Sequence, residues 1–214
     1  MNHKIKALGI FLTAMSLTVA MASTAQAQFT STSSNTWLTG SQIAEQHKFT
    51  AGAGIGAITC TTVNVEGFME AKSVSELILR PQYEGCKDSL GRTVDITNGE
   101  TFWNGSFYVW INYLTHTLTS GAGKGTAHLK GKFVLTVTGS THCTITLQNP
   151  QTSNGFTYTN NEDGTVTLST QTNNIHSSIS GGFFACGTAA TTSNTGTYTG
   201  KTRFLTGGPK FSVD

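Results

Sequence analysis

The chain has 214 residues, of which 11% are charged and 9% aromatic, and its formal net charge is +2 at pH 7. Such a balance supplies neither a basic stripe for nucleic acid nor a cationic face for an anionic membrane.

Taken in chain order, the first feature is a leader. Lys4 and Lys6 precede an apolar run from Ala7 to Ala22, and Ala25-Gln26-Ala27 closes it with small residues at both positions that a signal peptidase reads. Residues 1–27 are expected to be a signal peptide, with the mature chain starting at Gln28. Thr13, Ser16 and Thr18 interrupt the run, so a retained anchor fits less well, and no membrane span is expected in the mature chain. Removing Lys4 and Lys6 leaves 11 basic against 11 acidic side chains and a formal charge of zero. Export sets an oxidising compartment, so Cys60, Cys86, Cys143 and Cys186 read as two disulfides with three possible pairings. We expect Cys60 with Cys86 and Cys143 with Cys186.

Next comes a Ser/Thr-rich stretch, residues 28–46, with few apolar pairs, expected as a flexible N-terminal arm. Its Trp37 and Leu38 are the anchors it would offer if it added as a strand to a neighbour's sheet. Residues 47–214 are expected to form one domain. The glycines between Thr50 and Gly56 lack a following helix to bind phosphate and read as a loose lead into a strand. Thr is the commonest residue, Gly reaches 24, and no long segment holds a 3.6-residue period. The best helical candidate, Glu66 to Leu77, contains Gly67 and a Ser73-Val74-Ser75 break, so it reads as strand with a turn.

A hairpin follows. Phe107, Val109, Ile111 and Tyr113 alternate, the chain turns from Ser120 to Gly125, and Phe133, Leu135 and Val137 alternate back. A loop centred on Ala122 pairs Phe107 with Val137 and His116 with His128. Further strands are read at Cys143 to Leu147, at Phe156 and Tyr158, and at Val166 and Leu168 beyond a turn from Asn160 to Gly164. The fold class expected is all-β, an antiparallel β-sandwich carrying the two disulfides.

Two candidate sites follow from that register. Tyr108, Trp110 and Asn112 share the face opposite the core residues, beside Lys130 and Lys132, and exposed rings next to amides suit a sugar. Against this stands ordinary burial of large aromatics. His116 and His128, facing each other, form a weak candidate metal pair that lacks a third ligand, so no metal and no cofactor is expected. Glu66, Glu70, Glu76 and Glu84 have no spacing that fixes a carboxylate pair, and motifs for hydrolases, nucleotides and zinc peptidases are absent. Asn104-Gly105-Ser106 matches a glycosylation sequon and equally a plain turn.

The runs Thr59 to Thr62, Leu77 to Cys86 with Asp88 to Gly91, Cys143 to Gln151, Gly155 to Thr159 and Gly196 to Gly200 resemble an uncharacterised family of secreted bacterial Thr/Gly-rich, disulfide-containing β-sandwich proteins. The resemblance spans about Phe49 to Phe204 and favours the sequential disulfide pairing, while bringing no catalytic or ligand residue with it. Its members often hold a further cysteine pair, which the regions of Glu100 to Phe102 and of Val137 lack here. In length and Thr/Gly-rich character the chain is also similar to exported biofilm-matrix fibre proteins. The function expected is a non-catalytic structural or adhesive role at the cell surface, in the periplasm or in the extracellular matrix, with self-association or surface polysaccharide as partner. The alternative is a soluble carbohydrate- or ligand-binding module, and a secreted hydrolase ranks third.

Overall fold

A computed structural model describes residues 27–52, 56–97, 101–103, 108–110, 112–119, 123–138, 143–182, 186, 189–206 and 208–214. The expected leader before Ala27, the sequon and the apex of the predicted hairpin loop lie outside the described residues. In chain order the strands are β1 (Phe29–Ser31), β2 (Thr36–Gln42), β3 (His47–Thr50), β4 (Ile58–Cys60), β5 (Thr62–Met69) and β6 (Ser73–Val74). Then come β7 (Glu76–Glu84), β8 (Val94–Ile96), β9 (Thr101–Trp103), β10 (Tyr108–Trp110), β11 (Tyr113–Leu118) and β12 (Lys124–Lys130). The last six are β13 (Val134–Val137), β14 (Cys143–Leu147), β15 (Thr152–Asn160), β16 (Val166–Gly181), β17 (Thr191–Thr206) and β18 (Phe211–Val213). No helix among the described residues is long and apolar enough to cross a membrane.

The all-β class holds, but the sandwich does not. Eight strands pair in the order β17–β2–β5–β7–β11–β12–β15–β16, and β16 pairs again with β17, so the sheet closes into an antiparallel barrel. The closing strand is β2, which lies inside the segment expected to be a free arm. Its Thr36 to Ser41 pair with Met69 to Asn64 of β5, and Leu38 to Gln42 pair with Thr206 to Thr202 of β17. Leu38 is fully buried, and Gln28 exchanges backbone hydrogen bonds with Asp214. Residues 28–46 look polar because Leu38 is flanked at the inward positions of β2 by Thr36 and Gly40. A Cβ on Gly40 would sit 2.8 Å from the Phe204 ring, so the bulk at that level comes from β17.

Alternation fills the interior as period-two patterning requires. Val63, Val65 and Met69 of β5, Leu77 and Leu79 of β7, and Val166 and Leu168 of β16 point inward and are buried. One end is plugged by a small sheet, β18–β1–β6. Its Phe29 and Phe211 pack against Tyr158 and Phe204, with ring centroids 5.1 and 6.2 Å apart respectively. Asn160 clamps that plug by donating to the Val213 carbonyl at 2.8 Å and accepting from its N–H at 2.9 Å.

β16 and β17, at 16 residues each, outrun the barrel. The far half of β17 pairs with β3, which pairs with β4, and the far half of β16 pairs with β14, then β13, then β8. Lys87 bridges Thr59 of β4 on one side and Thr93, next to β8, on the other. These extra strands therefore meet in a second ring, joined to the barrel along the β16–β17 ribbon. The disulfides Cys60–Cys86 and Cys143–Cys186 form as expected and no cysteine is free. The first crosses the Lys87 seam, and the second ties β14 to the chain just after β16.

The predicted hairpin is corrected in two respects. Tyr113 to Leu118 pair with Lys130 to Gly125, so Thr115, not His116, lies opposite His128. Val134 to Val137 leave the hairpin to pair with β14 and β8, while Tyr108 to Trp110 pair with Trp103 to Thr101 in a separate two-stranded ribbon. Gly131, at φ +80°, ends β12. The side-chain carbonyl of Asn112 accepts from the Lys132 N–H at 2.7 Å, taking the place of a further ladder bond.

Candidate functional site

A one-residue slip reverses every side chain. His116 is 1% exposed inside the barrel, its Nδ1 2.7 Å from the Tyr158 hydroxyl, whereas His128 faces the outer side, its Nδ1 2.8 Å from Thr152 Oγ1. The two imidazoles are not on one face, and among the described residues no three His, Cys, Asp or Glu side chains converge. Asn112 is 3% exposed and spent on Lys132, so it is not part of an open platform with Tyr108 and Trp110. The side chains of Tyr108 and Trp110 lie outside the described residues. Glu70, Glu76 and Glu84 are exposed, and Glu66 pairs with Arg80 at 3.0 Å on the outer surface of the barrel.

What the fold does build is an internal cavity. Where the open end of the barrel meets the second ring, a partly enclosed space of about 100 Å³ remains. Leu114, Ala127, Leu129 and Phe156 border it from the barrel, and Phe49, Ile58, Leu135 and Ile175 from the second ring. Apolar cavities of about 150 Å³ stay dry and accept benzene-sized guests; this space is smaller but only partly enclosed, so it suits a small apolar body whose far end protrudes from the mouth.

One corner is polar. His47 of β3, Tyr83 of β7 and Tyr198 of β17 all border the cavity and are joined in a relay. The Tyr198 hydroxyl bonds His47 Nδ1, and the Tyr83 and Tyr198 hydroxyls are 3.2 Å apart. His47 Nε2 lies 3.2 Å from the Lys201 carbonyl and 3.3 Å from Thr202 Oγ1. His47 is 4% exposed, while both tyrosines are half-buried even though their hydroxyls are deeply set, because each borders the cavity. A Cβ on Gly200 would lie 2.5 Å from His47 Nδ1, so the imidazole lies directly against that glycine.

The protons in the relay can be assigned. A carbonyl only accepts, so His47 Nε2 carries hydrogen toward Lys201. Burial lowers the His47 pKa, partly offset by that backbone bond, which leaves the ring neutral and Nδ1 an acceptor. Tyr198 must then donate to Nδ1, and the hydrogen between the two phenols comes from Tyr83. Burial raises both tyrosines, Tyr198 well above its ordinary value, so both stay protonated at neutral pH.

Sequence reasoning missed this cluster, since its members are scattered over 151 residues of chain with no motif spacing. Only topology unites them. Chemically the corner offers neutral hydrogen-bonding groups in an apolar surround, which orient a guest. Among the described residues no carboxylate lines the cavity, and the other polar side chains on its wall are Gln151, Ser153 and Thr172. Compared with known protein families, with curated proteins and with solved structures, the chain matches none.

Proposed function

We propose that the mature chain is an exported, non-catalytic binding protein that holds a small, largely apolar molecule in the cavity between its barrel and its second ring. The observation that carries this reading is the cavity itself, a largely apolar space with the hydrogen-bonded cluster of His47, Tyr83 and Tyr198 on its wall. Two disulfides in the fold agree with an oxidising compartment. Ring closure weighs against the fibre mechanism expected of an N-terminal arm, because Leu38 cannot be lent to another copy without opening the barrel. The test is ligand-linked stabilisation with methylcyclohexane as probe. A guest present at tenfold its Kd adds about 1.4 kcal/mol to unfolding, and Ala127→Leu, which fills the space, abolishes the gain. No stabilisation by any apolar probe, with no methyl NMR shift at Leu129, Leu135 or Ile175, overturns the reading.

An adhesive role is the second reading, favoured by an aromatic patch outside the barrel. Trp37 is 60% exposed and packs on Phe68 with centroids 4.9 Å apart, and Leu205, 52% exposed, lies diagonally across the β2–β17 pair. Stacking on a surface polysaccharide or on a second copy would use that patch. Sedimentation of a stable monomer whose tryptophan fluorescence ignores glycans would remove it.

A further inference from the structure

Resting on the proposed binding function, we infer that the cavity selects guests carrying one hydrogen-bond donor, an alcohol or phenol, over guests of the same size whose polar atom only accepts. The argument lies in the direction of the relay. His47 Nε2 is committed to the Lys201 carbonyl, so Nδ1 presents a lone pair. Tyr198 spends its only proton there and receives one from Tyr83. A phenolic oxygen has two lone pairs, so the valence that Tyr198 keeps for a guest is an acceptor.

A hydroxyl entering the corner donates to Tyr198 and extends the chain of bonds in the same sense. A ketone in that position sets oxygen lone pair against oxygen lone pair and loses its water without replacement. The rest of the wall is mostly hydrocarbon, with Leu129, Leu135, Ile175 and Phe156; of its other polar side chains Gln151 is bonded to the His176 backbone and Thr172 donates to the Tyr198 carbonyl, which leaves the Ser153 hydroxyl. The ligand class is therefore a small cyclic or branched monohydroxylated molecule, neutral at the pH of the compartment.

The experiment compares three saturated rings of one size, cyclohexanol, cyclohexanone and methylcyclohexane, titrated into the purified mature protein and followed by methyl NMR at Leu129, Leu135 and Ile175. Cyclohexanol is expected to bind about tenfold more tightly than cyclohexanone, the value of one additional hydrogen bond. His47→Leu frees the Tyr198 proton to turn toward the guest and shifts the preference to cyclohexanone. His47→Gln, able to donate to Lys201 and accept from Tyr198, keeps the order of the wild type and serves if His47→Leu does not fold. Equal binding of alcohol and ketone, or a stronger ketone, overturns the directional inference while leaving the cavity function standing, since the rings still bind. Failure of all three rings, methylcyclohexane included, overturns both.

Discussion

Lowering the pH should destabilise the protein through one buried imidazole. His116 sits between Leu77 and Ala127 on the neighbouring strands, edge-on to Phe156 with centroids 4.7 Å apart, and its Nε2 has no partner among the described residues. Burial, reinforced by repulsion from His128, holds its pKa down to about 3, against 6.5 in the unfolded chain. The groups facing it are the Tyr158 hydroxyl, which burial keeps protonated, and His128 beyond the sheet. Above pH 6.5 both states are neutral at this residue and nothing is lost. As the pH falls below 6.5 the unfolded chain binds a proton that the folded chain refuses, and the loss grows until the folded pKa is reached. The arithmetic gives about 2 kcal/mol lost between pH 7 and 5 and about 3 kcal/mol by pH 4. His47, whose pKa is also lowered by burial, acts with the same sign, so the measurement must be a difference. His116→Asn keeps a hydrogen-bonding atom near the Nδ1 position for Tyr158 but cannot titrate. Urea unfolding of both proteins at pH 7, 5 and 4 should show the variant losing about 2 to 3 kcal/mol less than the wild type over that range. Parallel pH profiles would refute the placement of a neutral, charge-intolerant imidazole in the barrel.

Four further outcomes are expected. Thiol labelling of the denatured, unreduced chain should find no reactive cysteine, and replacing Cys60 and Cys86 together by Ser should cost about 3.5 kcal/mol. The same change at Cys143 and Cys186, which close a longer loop, should cost about 4 kcal/mol, both read from denaturant midpoints. Gly200→Ala drives a methyl into the His47 ring and should cost about 1–3 kcal/mol, with the Tyr198 ring resonances shifting as the relay breaks; a change under about 0.5 kcal/mol would show that the imidazole does not lean on that glycine.

The parts of the fold legible in the sequence were those where one strand and its turn carry the whole signal. Phe156 and Tyr158 face Thr170 and Leu168 around the turn at Asn160 to Gly164, because alternation and Asn/Asp/Gly turn chemistry agree there. Of the hairpin expected between Phe107 and Val137 only the inner part, Tyr113 to Lys130, pairs with itself, and there the register differs by one residue. Its register depends on where Gly131 ends the strand and on Asn112 bonding Lys132, neither of which a hydrophobic pattern reports. β2 was hidden for a related reason, since its inward Gly40 is small only because Phe204 occupies the same level from a strand far along the chain. Barrel closure is a statement about which strand meets which, and period-two patterning is identical in a sandwich and a barrel. The relay of His47, Tyr83 and Tyr198 needs three strands from remote parts of the chain to converge, so it became visible only with the topology.

The ribbon of β16 and β17 makes the molecule indivisible. Along β16 the chain serves the barrel first and the second ring afterwards, whereas along β17 it serves them in the reverse order. A cut inside β16 opens both rings, and a cut between Thr199 and Thr202 of β17 keeps the pairings of the second ring but strips β17 from the barrel, so no cut inside the ribbon leaves the barrel closed. Melting either ring strips a partner from the other, so amide protons at Thr170 and Ser177, one on each side of the junction, should exchange together with global unfolding. A guest lodged at that junction would touch both halves of a single cooperative unit, and its binding energy would be felt along the full length of the ribbon.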